Sequence, residues 1–114
     1  MAEIEIKKFF ERGDFLVVRS CGSFGPVDVI AFNGKAPLAI QVKESYNSSV
    51  SVSRDVQKLD ELRKKYNVIG TVAVKFKDRK EKPIWVFCNV EKLVENGKTT
   101  ILKNDEKCVV KRDL

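Results

Sequence analysis

Residues 25–45 read GPVDVIAFNGKAPLAIQVKES, and the way this stretch folds decides how the rest of the chain is read. Val27 to Phe32 and Leu38 to Lys43 are short runs of branched and aromatic residues bounded by glycine and proline, which is strand composition. Between them Asn33-Gly34-Lys35 is a two-residue hairpin signal, so the two strands are expected to be antiparallel neighbours. Side chains alternate along a strand, placing Gln41 and Lys43 on one face and Ile40 and Val42 in the opposite layer. Asp28 stands across the hairpin from them. Asp28 and Lys43 sit in otherwise apolar strands, where an uncompensated charge is costly and needs a partner or an ion.

Working outward, Phe15 to Arg19 (FLVVR) reads as a further strand. Ahead of it, Glu3 to Arg12 carries Ile6, Phe9 and Phe10 at helical spacing, with Gly13 where a C-cap belongs. Downstream, Ser53 to Tyr66 places Val56, Leu59, Leu62 and Tyr66 at three- and four-residue steps, with Ser53 as expected N-cap. Thr71 to Phe76 and Ile84 to Cys88 follow as strands around the basic loop KDRKEKP, and Val90 to Glu95 as a helical turn. Lys103 to Leu114 reads equally as an extra hairpin or as a frayed end. No linker or repeat divides residues 1–114. The expected class is α/β: one domain with a mixed central β-sheet flanked by helices.

A chain of 114 residues can bury about two-thirds of its unfolded surface around one core. Its 43% hydrophobic and 33% charged residues suit a globular domain and not a disordered chain. Twenty-two Lys and Arg against sixteen Asp and Glu give a net charge of +6 and favour a polyanionic partner. The absence of histidine excludes Ser-His-Asp and Cys-His nucleophile systems, His-ligated zinc and imidazole acid–base chemistry. Catalysis must then use carboxylates, lysine or water activated by a cation. Cys21, Cys88 and Cys108 form no CxxC pair and are odd in number, so they are expected as reduced, buried thiols. The apolar runs are too short to span a membrane and the N-terminus lacks a signal-peptide core, so a cytoplasmic protein without a membrane partner is expected.

Asp28, Gln41 and Lys43 bring a carboxylate, an amide and an amine to one end of a sheet. Metal-assisted phosphodiester cleavage uses such a set: oxygen ligands hold Mg²⁺, which acidifies a water, while a lysine orients the nucleophile and offsets charge on the phosphate. The plain alternative for each residue alone is an isolated strand-end charge.

The ordered series of Glu3 with Ile6, Phe9 and Phe10, then FLVVRSCGSFGPVDVIAF, LAIQVKES, VQKLDELRKKY, TVAVKF and IWVF resembles the archaeal-type Holliday junction resolvases. These are a branch of the PD-(D/E)xK nuclease superfamily, and the resemblance covers nearly the whole chain. It implies a restriction-endonuclease-like fold and a homodimer that binds branched DNA and cuts four-way junctions with Mg²⁺, Mn²⁺ being possible. Catalytic roles then fall to Glu3, Asp28, Gln41, Lys43 and Ser23, and metal ligation to Glu3, Asp28 and Gln41. Arg19 and Ser20 would contact DNA phosphates beside the site, and Leu62 and Tyr66 would face the partner subunit. Glu3 is chosen over Glu5 and Glu11 because it shares the core-facing stripe of the helix with Ile6 and Phe10.

Several of these positions carry a second reading. Arg19 also reads as a solvated strand end, and Leu62 and Tyr66 as ordinary core. Lys75, Lys77, Arg79, Lys80 and Lys82 read as a basic hairpin tip, either a solvated turn or a phosphate-contacting surface in which Lys77, Arg79 and Lys80 bind DNA. The departure from the family pattern is Gln41, where glutamate is typical. An amide oxygen can ligate a hard cation but brings no charge. The alternatives are therefore a resolvase, a catalytically weak or inactive junction-binding paralogue, or a general restriction-like DNA nuclease.

Overall fold

The computed structural model describes residues 1–20, 25–112 and 114. The branched runs do become strands. In chain order the elements are α1 (Ala2–Arg12), β1 (Leu16–Arg19), β2 (Val29–Phe32), β3 (Leu38–Ser45), β4 (Ser49–Ser51), α2 (Ser53–Tyr66), β5 (Ile69–Phe76), β6 (Ile84–Asn89), α3 (Val90–Glu95), β7 (Thr100–Leu102) and β8 (Val109–Lys111). The main sheet has the order β1-β2-β3-β5-β6-β8, and β4 pairs with β7 in a small second sheet. The β3–β5 pair is parallel and the others in the main sheet are antiparallel. A parallel neighbour needs a long crossover, which α2 supplies. The expected mixed α/β architecture is the one observed.

The two-residue alternation of strand side chains divides the interior into two layers. On one side of the sheet α1 packs Ala2 and Ile6 against Val17, Val29, Ala31, Ile40, Ala73 and Trp85. On the other, Val56 and Leu59 of α2 and Val90 and Leu93 of α3 cover Ala39, Val72, Val74, Val86 and Cys88. Gly70 is needed there for close approach. A Cβ at that position would lie 3.1 Å from Val90 Cβ and 3.4 Å from Leu59 Cβ, so a larger residue would push α2 and α3 off the sheet.

Four local expectations are corrected. Asn33-Gly34-Lys35 is not a two-residue hairpin turn: Ala31 pairs with Leu38, and the connection runs from Asn33 to Pro37. Pro37 has no N–H with which to continue the ladder, and Lys35 N–H donates to Asn33 Oδ1 (3.1 Å) inside the longer loop. Gly13 is the C-cap of α1 as expected, at φ −87°, and the left-handed residue follows it at Asp14, φ +69°. Ser53 is the first helical residue and not the cap of α2. Val52 holds the cap position without a side-chain bond, its buried side chain anchored in the core. Cys88 and Cys108 are not free thiols but a disulfide, with Cα atoms 4.8 Å apart. Tertiary folding brings the turn before β8 back over β6 and sets the two cysteines side by side, which their 20-residue separation did not reveal. Lys75 lies within β5, outside the basic hairpin tip.

Cys21 falls outside the described residues. The C-terminal region forms a strand, β8 against β6, and Leu114 packs on the α1 side of the core. Among the described residues no helix is long and apolar enough to cross a membrane.

Candidate active site

β2 and β3 separate at Asp28, and that separation builds the site. The last regular backbone contact is Asp28 N–H to the carbonyl of Ile40 (2.9 Å), while Asp28 C=O accepts from Ser20 N–H (2.8 Å). Two residues further along β3, the N–H of Val42 donates to the side chain of Asp28, at Oδ2 (2.9 Å). The carboxylate thus stands in for the next backbone acceptor as the strands diverge. Extending the register that pairs Val29 with Ile40 places Gln41 directly opposite Asp28. Its Nε2 donates to the same Oδ2 at 3.0 Å.

Lys43 lies on the same face of β3 as Gln41, toward α2. Its ammonium is 2.9 Å from Asp55 Oδ2, in the first turn of α2. Glu3, in the first turn of α1, approaches from the other layer and pairs with Arg19 at 3.4 Å. Arg19 Nε is buried with no hydrogen-bond partner, so the guanidinium retains an unused donor facing away from solvent. Glu5 points elsewhere, to Lys75 at 2.6 Å.

The electrostatics follow from this crowding of acids. Burial, the largest cause, raises the Asp28 carboxyl above its ordinary value, and the charges of Glu3 and Asp55 raise it further. The Val42 N–H and the Lys43 ammonium act in the opposite sense. A half-buried carboxylate with neighbouring acids is a site that gains from a cation.

The donor set fits a hard divalent ion. Asp28 and Glu3 offer carboxylate oxygens, and Gln41 offers a carbonyl oxygen once its amide turns over. Among the described residues no three His, Cys, Asp or Glu side chains converge as a metal cluster. Mg²⁺ does not require one, since it is commonly held by one or two carboxylates with waters and substrate phosphates completing its shell.

The remaining expected site residues that the structure describes lie on several elements. Ser23 lies outside the described residues. Ser20 is placed by its backbone bond to Asp28, at the end of β1. Lys77 pairs with Glu44 at 2.9 Å, and this bond raises the lysine above its ordinary value. Arg79 and Lys80 are exposed in the β5–β6 loop and line a shallow cavity with Lys77 and Tyr46. Leu62 packs partly on the core, whereas Tyr66 is 59% exposed.

Two features escaped the sequence reading. Asp55 was missed because no spacing rule links a helix start to a lysine twelve residues earlier. The pairs Leu16 with Phe32 and Val18 with Ile30 put an apolar strip on a sheet face that α2 leaves bare. Leu16 is 69% and Val18 51% exposed. Strand alternation predicts that such a face exists, but not that it lies uncovered.

A family model described as archaeal Holliday junction resolvase (Hjc) matches residues 1–113. Among solved structures, the chain is similar to a 1.6 Å structure of Hjc, a Holliday junction resolvase from the archaeal hyperthermophile Archaeoglobus fulgidus. The two share 26% sequence identity with a TM-score of 0.64, over 79% of this chain and 70% of the other.

Proposed function

Because this chain belongs to the archaeal Holliday junction resolvase family, we propose that it cuts four-way DNA junctions at Glu3, Asp28, Gln41 and Lys43, using Mg²⁺ or, in its place, Mn²⁺. Family membership makes it a structure-selective nuclease with branched DNA as substrate, and such nucleases suggest the use of a divalent metal. The observation that carries the residue assignment is the opening of β2 and β3 at Asp28. There one carboxylate oxygen takes the N–H of Val42 and the amide of Gln41, with Lys43 on the same strand face.

Asp28 and Glu3 would hold the cation, and Gln41 would complete the set through its carbonyl oxygen. Bound there, the cation supplies charge neutralisation at the scissile phosphate and acidifies a water. Lys43 orients that nucleophile and offsets the charge developing on phosphorus oxygens, an effect large in a site screened from solvent. Arg19, whose Nε is without a partner, together with Ser20 and Ser23 would grip the adjacent phosphate. Arg79 and Lys80 would meet a more distant stretch of backbone, positioning DNA without reading bases.

A homodimer fits the bare strip of Leu16, Val18 and Phe32 together with exposed Tyr66. Contiguous apolar surface of this kind is otherwise a liability on a basic, water-exposed domain.

A second reading, a slow or inactive junction binder, is favoured by two contacts. The amide of Gln41 presents its N–H to Asp28, and Lys43 is tied to Asp55. Cleavage of labelled four-way junction and linear duplex, with Mg²⁺ or Mn²⁺, separates the possibilities. The proposal expects junction cutting that Lys43→Ala and Asp28→Asn abolish while junction binding in chelator persists. Binding without cutting would establish the second reading, and equal cutting of linear duplex would mark a general nuclease.

A further inference from the structure

Position 41 brings no charge to the site, so a further acid close to it would strengthen the hold on a cation. Three acids near β3 and α1 are engaged elsewhere or already assigned: Glu44 with Lys77, Glu5 with Lys75, and Glu3 with Arg19. Asp55 differs from them. Its Oδ2 is 2.9 Å from Lys43 Nζ, and its side chain is 19% exposed. Its charge also reaches Asp28, where it opposes ionisation just as Glu3 does. The turn that carries it is held firmly, because Val52 and Val56 on either side are buried in the α2-side core. It stands in the first turn of a 14-residue helix, where backbone N–H groups present positive charge.

We propose that Asp55 takes over the work of the acid missing at position 41, orienting the Lys43 ammonium and completing the negative charge that retains the divalent cation beside Asp28. This rests on the active-site reading above. Lys43 has three N–H donors and Asp55 uses one; fixed between a strand and a helix, the remaining donors face a phosphate oxygen or the attacking water in one orientation. A long, four-carbon side chain without that anchor would sample many rotamers and lose the geometry. Asp55 is thus a positioning residue for Lys43 and a charge partner for Asp28, and position 41 became free to carry an amide.

The test uses Asp55→Asn, Gln41→Glu and the double variant. Mn²⁺ binding to the DNA-free protein, read by electron paramagnetic resonance, and junction cleavage should each weaken roughly 10- to 100-fold in Asp55→Asn, the usual effect of losing a group that supports a metal site. Junction affinity in chelator and the unfolding temperature should stay near the parent's. Adding Gln41→Glu to Asp55→Asn should restore Mn²⁺ binding and cutting to within about 3-fold, because the two charges substitute for each other. Parental Mn²⁺ binding and cutting in Asp55→Asn, or no restoration in the double variant, overturns the proposal. One readout needs no cutting: in chelator, the loss of thermal stability caused by Gln41→Glu should be smaller when position 55 is Asn, and equal losses in both backgrounds would deny the coupling. Failure of the active-site reading itself looks different, since Lys43→Ala and Asp28→Asn would then cut as the parent does.

Discussion

Gln41→Glu tests the site most sharply, since it changes one atom group and reverses a contact. In the parent, the amide donates a hydrogen bond to a carboxylate at 3.0 Å, a kind of bond that contributes about 1.5–3 kcal/mol. The substitution removes it and sets two carboxylates at the same separation. Full ionisation of both would add about 5–6 kcal/mol of repulsion at the effective dielectric of a partly exposed site. The pair relieves most of this by keeping a proton, which the burial of Asp28 already favours. The net cost without metal is therefore about 2–4 kcal/mol near neutral pH, and at about 4 °C of Tm per kcal/mol for a chain this size it amounts to roughly 8–16 °C.

The pH dependence has a defined sign. A carboxyl whose folded pKa is raised binds a proton more tightly folded than unfolded. Stability is then kept in acid and lost as pH rises through the interval from the unfolded to the folded value. The parent shows this weakly through Asp28. In Gln41→Glu the interval widens, so the Tm gap between variant and parent should be small in acid and grow toward alkaline pH. With cation the order reverses: one added carboxylate contributes about 1–2 kcal/mol of binding, so half-maximal cutting should need about ten-fold less Mg²⁺. Differential scanning calorimetry in chelator across pH, with a Mg²⁺ titration of junction cleavage, reads both effects. A variant with unchanged Tm at every pH and unchanged Mg²⁺ requirement would show that position 41 neither faces Asp28 nor ligates the cation.

Three further outcomes are expected. Raising salt from about 50 to 200 mM should weaken junction binding by orders of magnitude, and neutralising Lys77, Arg79 and Lys80 together should flatten the slope of log affinity against log salt by less than three phosphates' worth, because Lys77 is already paired with Glu44; an unaltered slope would make the β5–β6 loop a solvated turn. Leu16→Glu with Val18→Glu should shift the mass seen by analytical ultracentrifugation from dimer to monomer while the circular dichroism spectrum stays the same, and a persistent dimer would place the interface elsewhere. Cys108→Ser should lower stability by about 3 kcal/mol, the expected effect of opening a loop of this 20-residue separation, read as the denaturant midpoint under non-reducing conditions; an unmoved midpoint would refute a structural role for that bond.

Strand and helix identities were legible in the sequence because each is a local property. Branched residues in alternation mark β2, β3, β5 and β6, and Val56, Leu59 and Leu62 at helical steps mark α2, whatever lies around them. The antiparallel pairing of β2 with β3 follows from the short connection between them, and the shared face of Gln41 and Lys43 from the two-residue period of β3. The absence of histidine and the basic charge also narrowed the chemistry without any coordinates.

What the tertiary structure alone decided are relations between residues far apart in the chain. Lys43 meets Asp55, Cys88 meets Cys108, Glu3 meets Arg19, and the strip at Leu16 and Val18 is left bare because α2 packs over β5 and against α3 instead of over β1 and β2. Each depends on how layers stack and where strands part, which is set by burial summed over the whole core, and no spacing within the chain encodes that sum.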